Sequence, residues 1–250
     1  MGTISPIAPL LEDGLLRLGD SALILGQRVS AWCGHGPYLE EDIALANTAL
    51  DLIGQATLWL ELAAERGAGA DADALAYKRD AHQFRNLLLV ERPNGDFGQT
   101  MMRQFLYDAW SLPALQQLTG SADARVAEIA AKASKEVAYH LERSIDLCLR
   151  LADGTDESHR RMQAALDDLW PYTGEMFTTD DADAGIGLDP PALRETWFGT
   201  VRQLESVGTL SLPESDFAQL GGKTGHHSEH LGYILAEMQF LQRAYPDAQW

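Results

Sequence analysis

Apolar residues return every three or four positions through most of this chain, and that period admits little besides α-helix. One such stretch runs from Leu16 to His35 and stops at the Gly-Pro breaker of "CGHGP". A second spans Leu39 to Glu65 and ends at "RGAGADAD". The segment "AYKRDAHQFRNLLLVERPNGDFG" reads as one short helix followed by a loop closing at Pro-Asn-Gly. A third long helix is expected from Gly98 to Leu118, and a fourth from near Ser121 to "LADGTDES". Further helices are expected over His159–Leu169, Ala192–Val207 and Ser228–Ala244, with "TTDDADAGIGLDPP" and "SLPESDFAQLGGKTG" as loops. Four long helices with short or moderate connections suit an antiparallel bundle. The chain is therefore expected to be all-α. A four-helix bundle would occupy about 14–151, with additional C-terminal helices over about 157–250, in one domain 1–250. The sequence holds no strand-rich block, no G-x-G-x-x-G after a strand, no P-loop and no G-x-S-x-G.

Charge narrows the partners. The net charge of −18 leaves too few Lys and Arg to neutralise phosphates, so nucleic acid and anionic membranes are disfavoured. A polyanion such as coenzyme A would need a local basic spot or a partner. No apolar run is expected to cross a bilayer, and "MGTISPIAPLLEDGLL" lacks the charged start and cleavage site of a signal peptide. A soluble cytoplasmic protein is the expectation. Cys33 and Cys148 form no C-x-x-C pair and read as small apolar residues.

In an all-helical chain the informative residues are polar ones on buried stripes. Asn47, Asp51 and Gln55 follow one another at steps of four among Ala, Leu and Ile; the alternative is a narrow exposed ridge. Gln104 and Asp108 sit among Met101, Met102, Phe105 and Leu106. His140 closes the stripe Val126, Ala130, Ala133, Val137, and the first helix offers Asp20 and Gln27. Such groups bind something or form a closed network, for which the candidates are Asn47, Asp51, Gln55, Gln104, Asp108 and His140. A di-iron centre in a bundle needs two Glu-x-x-His pairs and two further carboxylates. Here Leu52 stands three before Gln55 and Val137 three before His140, while Glu136 is one position off. Neither pair is present, and the arrangement reads as the remains of a metal site.

"GHHSEHLGYILAEMQ" forms a second cluster. His226, His227, Glu229 and His230 are close in sequence, but the spacing is not H-E-x-x-H. A cap at Ser228, with His227, Glu229 and His230 in capping or interface roles, is the preferred reading over a mononuclear metal site.

Four blocks carry a family resemblance: "LRLGDSALILGQRVSAWCGHGPYLEEDIALANTALDLIGQA", "NLLLVERPNGDFGQTMMRQFLYDAW", "KEVAYHLERS" and "HSEHLGYILAEMQFLQRAYPDAQW". From about Leu16 to Trp250 the chain resembles the C-subunit family of ring 1,2-phenylacetyl-CoA epoxidase, a bacterial multicomponent monooxygenase of phenylacetate degradation. The resemblance implies a ferritin-like fold and a structural, non-catalytic role. It implies a paralogous A subunit as partner, which holds the di-iron centre and binds phenylacetyl-CoA. Further components, the reductase among them, pass electrons from NADPH. No metal or cofactor is expected on this chain. The resemblance places Leu52-Ile53-Gly54-Gln55 and Val137-Ala138-Tyr139-His140 at the two Glu-x-x-His elements of the A type, and Asp108 at a surviving carboxylate position. Gln27 is the nearest first-helix equivalent. Lys78, Arg79 and Arg85 are candidate contacts for coenzyme A phosphates, with surface ion pairs as the alternative. The runner-up reading is a metal-binding ferritin-like oxygenase active in its own right.

Overall fold

The computed structural model describes residues 8–246 and Ala248. The fold is all-α and ferritin-like, with no strand among the described residues. The helices are α1 (Ala8–Ser30), α2 (Leu39–Glu65), α3 (Ala72–Tyr77), α4 (Leu88–Glu91), α5 (Phe97–Leu118), α6 (Ala124–Ala152), α7 (Asp156–Leu169), α8 (Asp181–Ile186), α9 (Arg194–Val201), α10 (Gln203–Ser206), α11 (Glu229–Met238) and α12 (Phe240–Ala244). Short 3-10 turns punctuate the later connections.

The long helices follow the apolar period, and their ends follow local chemistry. Asp96 caps α5 by accepting the Gln99 amide at 2.9 Å, and Asp123 caps α6 by accepting the Arg125 amide at 2.9 Å. α1 starts earlier than expected and stops at Ser30 rather than His35. A turn follows, with Gly34 at φ 79°, and the Asp42 carboxylate accepts the Gly34 and Gly36 amides at 3.1 and 2.9 Å. Those bonds hold Asp42 below the usual carboxylate range. α7 starts at Asp156, ahead of the expected His159, because Thr155 and Ser158 form a reciprocal cap.

Weaker signals gave the larger differences. The segment expected as one short helix and a loop holds the end of α3, a 3-10 turn and α4. "TTDDADAGIGLDPP" is not all loop: α8 forms there, with acidic residues in its first turn, and Gly187 at φ 85° follows it. The expected Ala192–Val207 helix is divided into α9 and α10. Ser228–Ala244 breaks at Gln239, whose amide donates to the carbonyls of Ala76 and Arg79, 3.0 Å each.

The chain divides into two compact units. The first comprises the described residues up to Arg92, Asp181–Ile186, and those from Gly221. In it α1 and α2 form a close-packed hairpin. A Cβ at Gly19 would meet Leu60 Cδ2 at 2.8 Å, and one at Gly14 would meet the Ala182 carbonyl of α8 at 2.7 Å. The second comprises Pro93–Asp180 and Gly187–Leu220. Its α5 is buried on every face from Thr100 to Ser111, whereas α6 buries one stripe. Trp197 Nε1 donates to the Leu106 carbonyl and Trp110 Nε1 to that of Met176, 3.0 Å each, tying later segments to α5.

One composition-based expectation is corrected. By length and composition α2 is apolar enough to cross a membrane, and 44% of its most apolar window is buried. That window holds no more than two charged residues.

Two glycines of the hairpin differ in sign. Gly19→Val is expected to cost about 1–3 kcal/mol by overpacking against Leu60. Gly54→Ala, whose new methyl meets nothing within 4 Å, is expected to gain up to about 1 kcal/mol of helix propensity. Thermal melts of the two variants should move in opposite directions.

Candidate functional site

In the first unit, α2 supplies Leu52 and Gln55, both buried. The ridge through Asn47, Asp51 and Gln55 does not stay inside: Asn47 is exposed, Asp51 half-buried and Gln55 buried. Each four-residue step advances about 40° past a full turn, so the ridge passes from solvent to core along its length. Asn47 therefore falls out of the buried set. Gln27 on α1 is half-buried, and Asp20 is fully buried.

In the second unit, Asp108 of α5 is the centre of a polar cluster. Gln104, one turn earlier, donates from Nε2 to Asp108 Oδ1 at 2.8 Å. Ser144 of α6 donates from Oγ to Oδ2 at 2.9 Å. His140, one turn before Ser144, is buried and acts electrostatically on Asp108, as does Arg143. Burial pushes the Asp108 carboxyl up to about 6, against the pull of His140, the two hydrogen bonds and Arg143. Val137 is buried beside these residues on the α6 stripe. Sequence reasoning misses Ser144, although it stands four after His140 and so on the same face. Tyr107 and Cys148 are also buried, and burial pushes both of their pKa values up.

Neither unit offers a donor set that fits two irons. In the first, Leu52 is apolar and Gln55 an amide; in the second, Val137 is apolar and both oxygens of Asp108 already accept hydrogen bonds. Among the described residues no group of three or more His, Cys, Asp or Glu is placed to hold a metal ion.

Comparison with known proteins gives the family. The family of phenylacetic acid catabolic proteins matches residues 9–250. The chain is 48% identical over 240 residues to the C subunit of 1,2-phenylacetyl-CoA epoxidase from Escherichia coli (strain K12), covering 94% of this chain and 97% of that one. The chain belongs to the phenylacetic acid catabolic protein family.

In this phenylacetic acid catabolic protein the C-terminal histidines do not converge. His226 is exposed, with Nδ1 3.3 Å from Thr224 Oγ1. Glu229 is exposed, and His230 tilts against Tyr233 at 6.4 Å between ring centroids. His227 instead faces two acceptors: Glu91 Oε2 at 2.9 Å from Nδ1 and the Phe84 carbonyl at 3.0 Å from Nε2. Two acceptors, one facing each ring nitrogen, favour the imidazolium, which donates from both. Burial alone would lower its pKa. The Glu91 carboxylate and the Phe84 carbonyl outweigh that, and the net shift is upward.

Ser228 stands at the N-cap of α11, but its hydroxyl makes no cap bond. Glu91 Oε1 accepts the Ser228 amide at 2.7 Å instead, placing a carboxylate at the helix start. The sequence gives no sign of Glu91's part in holding the C-terminal segment, because His227 and Ser228 lie 136 and 137 residues away.

The basic candidates separate as well. Arg79 is buried and paired with Asp20, its Nη1 donating to Oδ2 at 3.1 Å. Its guanidinium carbon lies 4.2 Å from the Phe84 ring centroid. Arg85 Nη1 donates to the carbonyls of His82 and Phe84 at 3.0 and 2.9 Å. Both therefore make hydrogen bonds within the fold, Arg79 buried and Arg85 half-buried. Only Lys78 is exposed. Asp183 on α8 likewise has cationic partners, Arg17 Nη1 at 2.9 Å and Lys223 Nζ at 3.1 Å.

Two outcomes follow from these charges. Asp108 has a folded pKa of about 6 against 3.8, so its contribution is greatest below the lower value and is lost as pH rises through the upper. Asp108→Asn should remove about 3 kcal/mol of pH dependence across that span, seen as convergence of urea midpoints between about pH 4 and 7. His227→Ala leaves Glu91 buried without its cation and should cost about 3–5 kcal/mol, with His227→Gln costing less. The wild-type advantage over His227→Gln should be largest below the ordinary histidine value, and should shrink as pH rises through the raised one.

Proposed function

We propose that this chain is a non-catalytic subunit of a phenylacetyl-CoA epoxidase in aerobic phenylacetate catabolism, pairing with and stabilising a di-iron catalytic A subunit. The observation that carries the reading is the state of the relict positions. Where a Glu-x-x-His pair would supply a carboxylate and an imidazole, α2 offers Leu52 and Gln55, and α6 offers Val137 and His140. The surviving Asp108 is closed into hydrogen bonds with Gln104 and Ser144. A helical core so arranged holds shape without redox chemistry.

Rigid helices around a metal site control its geometry, and a paralogous subunit is one way to brace them. On this reading iron, acyl-CoA binding and receipt of electrons from an NADPH-fed reductase belong to the partner. The net charge of −18 and the internal commitments of Arg79 and Arg85 favour coenzyme A phosphate contacts outside this chain. A cytoplasmic location goes with the reading.

Turnover of phenylacetyl-CoA by the A subunit with its reductase, measured with and without this chain, tests the proposal. Turnover should depend on the added chain, and the chain expressed alone in iron-rich medium should carry close to no iron. Full turnover by the A subunit alone would remove the bracing role. About two irons per chain would make this subunit an oxygenase candidate instead.

A further inference from the structure

We infer that the outward face of α2 is a docking surface for a different polypeptide, one presenting an apolar helix face edged by Lys and Arg. The inference rests on the subunit reading above and assigns the partner its place. Leu39, Ile43 and Leu50 are 72, 52 and 67% exposed, a degree of exposure unusual for three large apolar side chains on one helix. With Asn47, Gly54 and Thr57, also exposed, they fall at steps of three and four and so form one seam along a helix about 40 Å long. The seam itself carries no charge until exposed Glu61.

Gly54 strengthens the case. A Cβ there would meet nothing within 4 Å, so the described fold does not need glycine at that point. Glycine inside a helix costs about 1 kcal/mol relative to alanine. A helix without side chain at one point of an exposed, largely apolar seam lets another backbone approach closely.

Charge selects the occupant. α2 carries six Asp or Glu residues and no Lys or Arg over its 27 positions. A second copy of this chain would bring the same acid-only helix against it, with −18 on each molecule. An anionic lipid surface would be repelled in the same way. A partner whose apolar face is bordered by basic residues satisfies both the seam and its rim, and like-charge exclusion makes the choice specific.

The test uses the full chain and the di-iron A subunit proposed above, with affinity read by calorimetry and mass by sedimentation. Leu50→Glu should weaken binding about 100-fold, whereas Tyr139→Glu, exposed on α6, should bind as wild type. Leu50 is exposed, so the variant should keep the helical spectrum and melting temperature of the wild type, which separates lost docking from lost folding. Affinity should also fall as salt is raised. Wild-type binding that Leu50→Glu leaves intact would overturn the α2 face while sparing the subunit reading. No binding by the wild type would overturn the pairing and the face together. A dimer of this chain alone, broken by Leu50→Glu, would overturn the commitment to a different polypeptide.

Discussion

A carboxylate taken out of water has to be given partners, and four of the five buried among the described residues show how this fold supplies them. In the first unit Asp20 has Arg79, Asp183 has Arg17 and Lys223, and Glu91 has His227. Each is a cation supplied from another segment, so each pair also closes the chain on itself. The C-terminal segment depends on this. Lys223 and His227 fasten it to α8 and α4, and the Glu91 carboxylate holds the Ser228 amide at the start of α11. Buried ion pairs are poor sources of net stability, but removing one partner is expensive, and that asymmetry favours one arrangement over its alternatives. In the second unit Asp108 has a different environment. Its two hydrogen bonds come from neutral groups, an amide and a hydroxyl. His140 and Arg143 act on it electrostatically, and burial still pushes the carboxyl upward.

That contrast bears on how a buried carboxylate is kept among apolar neighbours. In the second unit Val137 is buried on the α6 stripe that also carries His140 and Ser144. A buried carboxylate cannot be left without partners, and Gln104 and Ser144 each donate to one oxygen of Asp108. Gln104 Oε1, on the far side of the same amide, has no hydrogen-bond donor among the described residues, so the network is satisfied around the charge and incomplete at its edge.

The long helices are legible because their apolar period persists for many turns, and α2 has the expected bounds. Short elements are not: α8 lies in a stretch whose Asp and Gly content reads as loop, and the break at Gln239 is made by bonds to Ala76 and Arg79, far away in sequence. The candidate site is legible to the same extent. Asp108, Gln104 and His140 stand on the α5 and α6 stripes, and their residue types announce burial of polar groups. The ion pairs are not legible, since pairing across 59 or 136 residues leaves no local trace. Asp20 and Arg79 are each noticeable alone, one as a polar residue on an apolar stripe and the other as part of a basic group. Only their contact shows that neither is available to a ligand.

α2 shows where periodicity stops giving direction. Its inward residues Leu52, Trp59 and Leu62 are apolar, and so are its outward residues Leu39, Ile43 and Leu50. A helix apolar on two faces declares itself a helix without declaring which face is the core. The ridge of Asn47, Asp51 and Gln55 reads as inward for that reason, yet it crosses from one environment to the other. In an isolated chain an apolar outer face is a liability, because water is excluded from it only by association. A subunit has a use for it. In the subunit proposed above, the outer face of α2 can brace a neighbour only if it is rigid and covered. The uncharged outer seam that makes the helix ambiguous in sequence is what the centre of a packed interface between helices requires.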